Sequence, residues 1–188
     1  MTDTTTRNMD LYDRVTSVIF PFSGLTKVDP EILRKAAARG TAVHDYCNCL
    51  IAELPCDTID DTYMGYIDSF NLWAEGKKFL LHPGRWFDDE LMITGECDGI
   101  YEMDGEFILF DLKTPAKQGS TWNLQGAAYR HLAHKNNLKI DHVEFVRLQR
   151  NGKKPTVYGY GDSFDEFMML LTVYRKYFKN NMTELHDF

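Results

Sequence analysis

The dipeptide Asp104-Gly105 constrains this chain more than any other feature, because it joins two runs of strand-forming residues, "ITGECDGIYEM" and "EFILFDLKT". Asp-Gly is the favoured pair for a two-residue type I′ turn, whose twist suits a β-hairpin. Such a turn pairs Met103 with Glu106. Counting back along both strands then sets Asp98 opposite Asp111 and Glu96 opposite Lys113. Side chains alternate along a strand, so all four charges share one face. Opposed Cβ atoms lie roughly 4.5–5.5 Å apart, close enough for two carboxylates to repel each other.

The second strand is apolar on both faces. Phe107 and Leu109 lie on the side of Asp111, while Ile108, Phe110 and Leu112 fill the other. That pattern reads as an interior strand, where charge is costly unless compensated. A divalent cation between Asp98 and Asp111 would relieve the repulsion, since Mg2+ takes one or two carboxylates and completes its shell with water and phosphate oxygens. Lys113, about 7 Å further along the same face, is then placed to orient water or to neutralise charge developing on a phosphate. The competing reading is a solvated hairpin face with Glu96 and Lys113 as a surface pair.

A helix is expected from Asp29, with Asp29 as N-cap, Pro30 at the first position and Glu31 at the positive end of the dipole. Leu33, Ala36, Ala37, Gly40, Val43, His44 and Cys47 recur on one side of it. His44 there reads as a core histidine or a ligand. A second helix is expected over about 58–75, a strand from Lys78 with a break at Pro83-Gly84, and a helix from Ser120 or Thr121 to Lys135. Within that helix Gln125 and Tyr129 share a face. Strands around Asn151-Gly152 and a last helix over 164–178, capped by Ser163, complete the order. The pattern is α/β, a mixed central sheet flanked by helices in a single domain over 1–188, with the polar first ten residues flexible.

Net charge is −7, which argues against a simple coat for nucleic acid. Its distribution is uneven: from Asp111 to Lys154 nine Lys/Arg face three Asp/Glu, a local +6 that leaves −13 on the rest. This segment is either a phosphate track, with Lys117, Arg130 and Lys135 as its members, or a solvated face. Trp122 stacks on a base or packs at a helix start. Cys47, Cys49, Cys56 and Cys97 have no CxxC pairing, so they are expected as reduced thiols. No apolar run approaches the roughly 20 residues of a membrane span. The polar start lacks a signal core. The expectation is a cytoplasmic protein without a membrane partner.

In order along the chain stand "GTAVH" (Gly40–His44), "GECD" (Gly95–Asp98), "DLK" (Asp111–Lys113) and "QGAAY" (Gln125–Tyr129). Over roughly residues 14–135 this set resembles the PD-(D/E)XK nuclease superfamily, in its RecB-like exonuclease branch. The resemblance implies a restriction-endonuclease-like core with an N-terminal helical elaboration, and hydrolysis of DNA phosphodiester bonds assisted by Mg2+ or Mn2+. Carried over by position, His44, Asp98, Asp111 and the backbone carbonyl of Leu112 are metal ligands. Lys113 completes the catalytic set with Asp98 and Asp111, and Gln125 and Tyr129 organise the site and contact nucleic acid.

The chain also departs from that family. Some relatives carry a four-cysteine iron–sulfur cluster, three of the cysteines near the C-terminus; no cysteine follows Cys97 here, so no cluster is expected. Many carry a glutamate on the preceding strand, for which Glu90 is the nearest candidate; the role of Glu96, expected opposite Lys113, stays ambiguous. No GxxxxGK[ST] motif is present, so no nucleotide cofactor is expected, and unwinding would fall to a separate helicase or single-strand-binding partner. The compact form is similar to phage-borne members acting in a host cytoplasm. Action on single-stranded or free DNA ends in recombination, repair or phage DNA processing is the leading expectation, and an inactive nuclease-fold module binding DNA or a protein is the alternative. RNA or a branched junction as substrate stays open.

Overall fold

The computed structural model of the chain describes residues 7–80 and 84–180. The chain forms the mixed α/β architecture expected, with helices flanking sheet. The strands divide into two sheets rather than one.

The larger sheet is built around the hairpin. β5 (Gly99–Met103) and β6 (Glu106–Lys113) pair antiparallel from Met103↔Glu106 to Gly99↔Phe110. Asp104 and Gly105 both have positive φ, 53° and 83°, as a type I′ turn requires. β2 (Lys78–Phe79) extends the sheet beyond β5. On the other side β6 pairs parallel with β7 (His142–Arg147), which pairs antiparallel with β8 (Thr156–Gly159). A parallel neighbour needs a crossover, and α4 (Trp122–Lys135) supplies it between β6 and β7.

The smaller sheet explains a limit of the hairpin. β4 (Ile93–Gly95) leaves the β6 edge to pair with β1 (Asp13–Arg14) in parallel and β3 (Trp86–Asp88) antiparallel. The β5–β6 ladder therefore ends at Gly99, one residue short of Asp98. Glu96 does not oppose Lys113; its carboxylate is 2.8 Å from Arg85. The expected register holds for five pairs and then yields to a second sheet.

β6 is interior, as its two apolar faces demand. Leu109 packs in a core with Trp122, Ala128, Tyr129, Leu132, Val143, Phe145 and α5 (Phe164–Tyr177). Ile108, Phe110 and Leu112 pack on the opposite face with Val43 and Cys47 of α2 (Pro30–Ile51) and with Ile67, Phe70 and Trp73 of α3 (Met64–Ala74). Each fully buried side chain of this kind contributes about 1.5–3 kcal/mol. Sealing both faces of β6 is thus the main favourable term around the site.

Helix starts follow local chemistry. Asp29 accepts the Glu31 and Ile32 N–H groups at 2.9 and 3.3 Å, with Pro30 in the first turn. The second helix begins later than expected, because Asp60 caps a 3-10 turn over Asp61–Tyr63 ahead of α3. Thr121 and Ser163 hold the N-cap positions of α4 and α5 without a capping side-chain bond. The helical elaboration before α2 is the short α1 (Val15–Ile19) and three 3-10 turns among the described residues. Before α1, Arg7 pairs with Asp89 at 2.9 Å and lies over Phe87, and a 3-10 turn spans Met9–Leu11. Residues 1–6 and Pro83 lie outside the described residues. No described helix is long and apolar enough to cross a membrane.

Candidate active site

Where β4 and β5 part, the chain Glu96-Cys97-Asp98 crosses from one sheet to the other beside the end of β6. Asp98 Oδ2 accepts the Leu112 N–H at 2.6 Å. A side-chain carboxylate thereby takes the place of the backbone partner that the ladder no longer provides. The N–H and C=O of one strand residue point to the same side, so the Leu112 carbonyl faces this gap as well. Lys113 turns the other way; its carbonyl accepts the Leu148 N–H at 2.8 Å, tying β6 to the chain that follows β7.

Asp98 and Asp111 are both nearly buried, with side chains 12% and 7% exposed. A histidine and a lysine stand against them. His44 Nδ1 of α2 is 2.8 Å from Asp98 Oδ1, and Lys113 Nζ is 2.6 Å from Asp111 Oδ2. Asp98 and Asp111 are not a ladder pair, yet the Asp98 charge still acts on Asp111, and an imidazole and an ammonium stand beside them. The Lys113–Asp111 contact is off the hydrogen-bonding angle, which leaves Asp111 Oδ2 buried and without a hydrogen bond. With Nδ1 committed to Asp98, Nε2 is the imidazole nitrogen left for another partner.

These contacts push the two carboxyls apart. Burial raises Asp98, but the charge and hydrogen bond of His44, the Leu112 N–H and Lys113 outweigh it and hold the group below its ordinary value. Burial and the Asp98 charge lift Asp111 above its ordinary value despite Lys113. Burial lowers His44, yet Asp98 and Asp111 together carry it above the usual imidazole value. The two neighbouring carboxyls are thus shifted in opposite directions by their surroundings.

Lys113 is aimed by α4. Its Nζ donates to Gln125 Oε1 at 3.1 Å, and Gln125 Nε2 donates to Tyr129 Oη at 3.0 Å. The ammonium also lies 5.2 Å from the Phe145 ring centroid and 6.0 Å from that of Trp122. Gly95 permits this packing, because a Cβ there would stand 2.7 Å from Tyr129 Cε1. Gly40 is different: a Cβ there would meet only Thr114 Oγ1, at 3.9 Å.

The site opens into a cleft of about 720 Å3, whose walls include Gly40, His44, Glu96, Asp98, Lys113 and Tyr129. Arg14 and Arg85 also line it, and neither stood out in the sequence. No local pattern marks them: β1 is two residues long, and Arg85 reaches the cleft because β3 pairs with β4.

Other expected site residues fall elsewhere. Trp122 is buried and stacked on Phe145, with centroids 5.6 Å apart and planes at 13°, so its faces serve the core and no base can stack there. Lys135 pairs with Glu90 at 2.7 Å, away from the cleft, which removes both from the site. Arg130 donates to the Asp141 carbonyl at 3.2 Å, beside the start of β7 and thus at the opposite end of the sheet from Lys113. Lys117 is exposed on the loop between β6 and α4. The four cysteines are free thiols, as expected.

The donor set suits a hard cation: two carboxylates, one carrying a buried oxygen without a hydrogen bond, an open imidazole nitrogen and a carbonyl turned to the gap. In the arrangement described, however, no three His, Cys, Asp or Glu side chains among the described residues stand together in metal-holding geometry. A cation would have to displace Lys113 from Asp111 or His44 from Asp98.

No protein-family model matches the chain, and no curated protein matches it. A solved structure described as "Crystal structure of SSO0001" is similar over 90% of this chain and 77% of that one, at 10% identity and a TM-score of 0.46. A likeness that low carries no argument about this chain.

Proposed function

We propose that the chain is a metal-dependent nuclease hydrolysing DNA phosphodiester bonds, acting on single-stranded or free ends in DNA processing. One observation carries the reading. Three separate segments bring His44, Asp98 and Lys113 to the wall of an open cleft, with Asp111 against Lys113 and Gln125 aiming the lysine. Asp98, Asp111, His44 and the Leu112 carbonyl would hold Mg2+ or Mn2+. The cation would supply charge to polarise a phosphate and acidify water.

The chain's own residues do the rest. Lys113 is bonded to Gln125 and would present its other N–H donors to water or a phosphate oxygen. Asp98 receives the Leu112 N–H, which keeps its second oxygen oriented at His44. Arg14 adds positive charge at the cleft wall, where a phosphate backbone would pass, while Arg85 is paired with Glu96.

A second reading, a non-catalytic module of the same fold, is favoured by the closed contacts, since each carboxylate already has a protein partner. One assay separates them. Linear duplex, circular single-stranded and end-labelled linear single-stranded DNA are each incubated with Mg2+ or Mn2+. Cleavage that falls about 100-fold or more in Lys113→Ala supports the nuclease. Near-parental cleavage by Lys113→Ala or Asp111→Asn, or none by the parent protein, overturns it.

A further inference from the structure

Beside the candidate active site lies a second cleft of about 410 Å3, lined by Arg39, Tyr66, Thr114 and Pro115 and by the Arg147–Asn151 segment. Three of its residues are arginines and none is acidic, on a chain whose net charge is −7. The two clefts share a wall made of consecutive residues. Lys113 lines the first and Thr114 the second, while Gly40 lines the first and Arg39 the second.

The three arginines have different freedom. Arg147 is structural: Nη1 donates to the Ala116 carbonyl at 2.8 Å, Nη2 to Thr156 Oγ1 at 3.1 Å, and Nε is buried. Arg39 makes one long hydrogen bond, 3.5 Å to Thr114 Oγ1, and lies 5.9 Å from the Tyr66 ring centroid. Arg150 is exposed and makes no side-chain hydrogen bond or ion pair among the described residues. A guanidinium offers five donors, so Arg39 and Arg150 keep most of theirs unspent.

The loop carrying Arg150 is held in place. Gln149 N–H donates to Ser69 Oγ of α3 at 2.9 Å, and a Cβ at Gly65 would collide with the Arg150 carbonyl. A charge on a braced loop costs less entropy to bind with than one on a free tail.

We propose that this cleft is a phosphate-binding subsite, in which Arg39 and Arg150 grip the backbone of a nucleic-acid strand continuing past Thr114 from the Lys113 cleft. The proposal rests on the nucleic-acid reading of the neighbouring cleft. Planar guanidinium groups bind phosphate oxygens in pairs, which is the chemistry the spare donors fit. An acidic peptide would meet the same charge, so polyglutamate is the competing ligand in the test.

The test is fluorescence anisotropy in EDTA, which prevents metal-dependent cleavage, with the full chain and an oligothymidine of about 12 nucleotides, enough to cross both clefts. Arg39→Ala/Arg150→Ala is expected to weaken binding about tenfold and to flatten the plot of log affinity against log salt by about 1.4, the value for two single-strand phosphate contacts. A strand of about 4 nucleotides, confined to one cleft, should change less than about twofold. Unfolding midpoints are measured alongside to confirm that the variant folds like the parent.

An unchanged salt slope, or a parent protein that binds no strand, overturns the subsite. So does arginine-dependent binding of polyglutamate in place of the strand. Cleavage is read separately with Mg2+. Arginine-dependent binding without cleavage sinks the nuclease and keeps the subsite, whereas cleavage with an unchanged slope does the reverse.

Discussion

Gln125 holds Lys113: its Oε1 accepts from the lysine ammonium at 3.1 Å, while its own amide donates to Tyr129 Oη at 3.0 Å. The lysine is thus tied to a helix packed on the core face of β6, and not only to the carboxylate beside it.

Removing Lys113 should therefore cost stability as well as activity. Lys113→Ala leaves Asp111 as an uncompensated buried charge, and breaking such a pair costs about 3–5 kcal/mol. A domain of this kind has about 5–15 kcal/mol in hand, so the fold should persist. Chemical denaturation should show most of the loss recovered in Asp111→Asn/Lys113→Met. A double variant no more stable than Lys113→Ala would mean that the pair is not what holds this region.

Two glycines of the cleft should respond in opposite directions. Gly95→Ala places a methyl 2.7 Å from Tyr129 Cε1 and should destabilise by about 1–3 kcal/mol. Gly40→Ala meets only an ordinary contact inside α2 and should stabilise by about 0.5–1 kcal/mol. Urea unfolding of both variants checks the sign. Equal losses would contradict the packing described.

Asp88 should confer an acid-sensitive stability. Its carboxylate accepts the Glu90 and Leu91 N–H groups, each at 2.9 Å, and lies 2.7 Å from His131 Nε2, which stacks on Phe164 of α5. Burial raises the group, but those hydrogen bonds and His131 hold it below its ordinary value. A lowered folded-state value stabilises above the unfolded pKa of about 3.9 and is lost as pH falls through the folded one. Asp88→Asn should cost about 2 kcal/mol at neutral pH, and its gap from the parent should narrow below about pH 4. A gap constant from pH 7 to pH 3 would refute this.

Cation binding, if the proposed function holds, should be coupled to protons. Mn2+ at Asp98 competes with protonated His44, so calorimetry should show affinity rising with pH and proton release in buffers of different ionisation heat. His44→Ala should weaken the binding. Absence of any Mn2+ heat with the parent protein would favour the non-catalytic module.

Much of the frame was legible in the residues. Asp104-Gly105 specifies its turn because both positions need positive φ, and the Asp29-Pro30-Glu31 start of α2 is a matter of local capping. The alternation of Phe107 to Leu112 predicted a strand covered on both sides, and both cores are there. The candidate site residues His44, Asp98, Asp111, Lys113, Gln125 and Tyr129 also meet as expected. Trp122 stands beside Lys113 but as a buried ring stacked on Phe145, and Glu90, Arg130 and Lys135 do not join the cluster, since composition and proximity in sequence say nothing of which way an isolated side chain faces.

What the sequence by itself determined is the local geometry: turns, caps, periodicity, and therefore the pairing from Met103–Glu106 up to Gly99–Phe110. Only the tertiary structure decided where that ladder stops. β4 abandons β6 for β1 and β3, so Glu96 goes to Arg85 and Asp98 reaches the Leu112 N–H and His44. The turn's influence passes along the chain through backbone hydrogen bonds and ends with them. The partners of a buried charge are set by segments far away in sequence, which pack first for their apolar faces and leave the charges to meet where the sheets part.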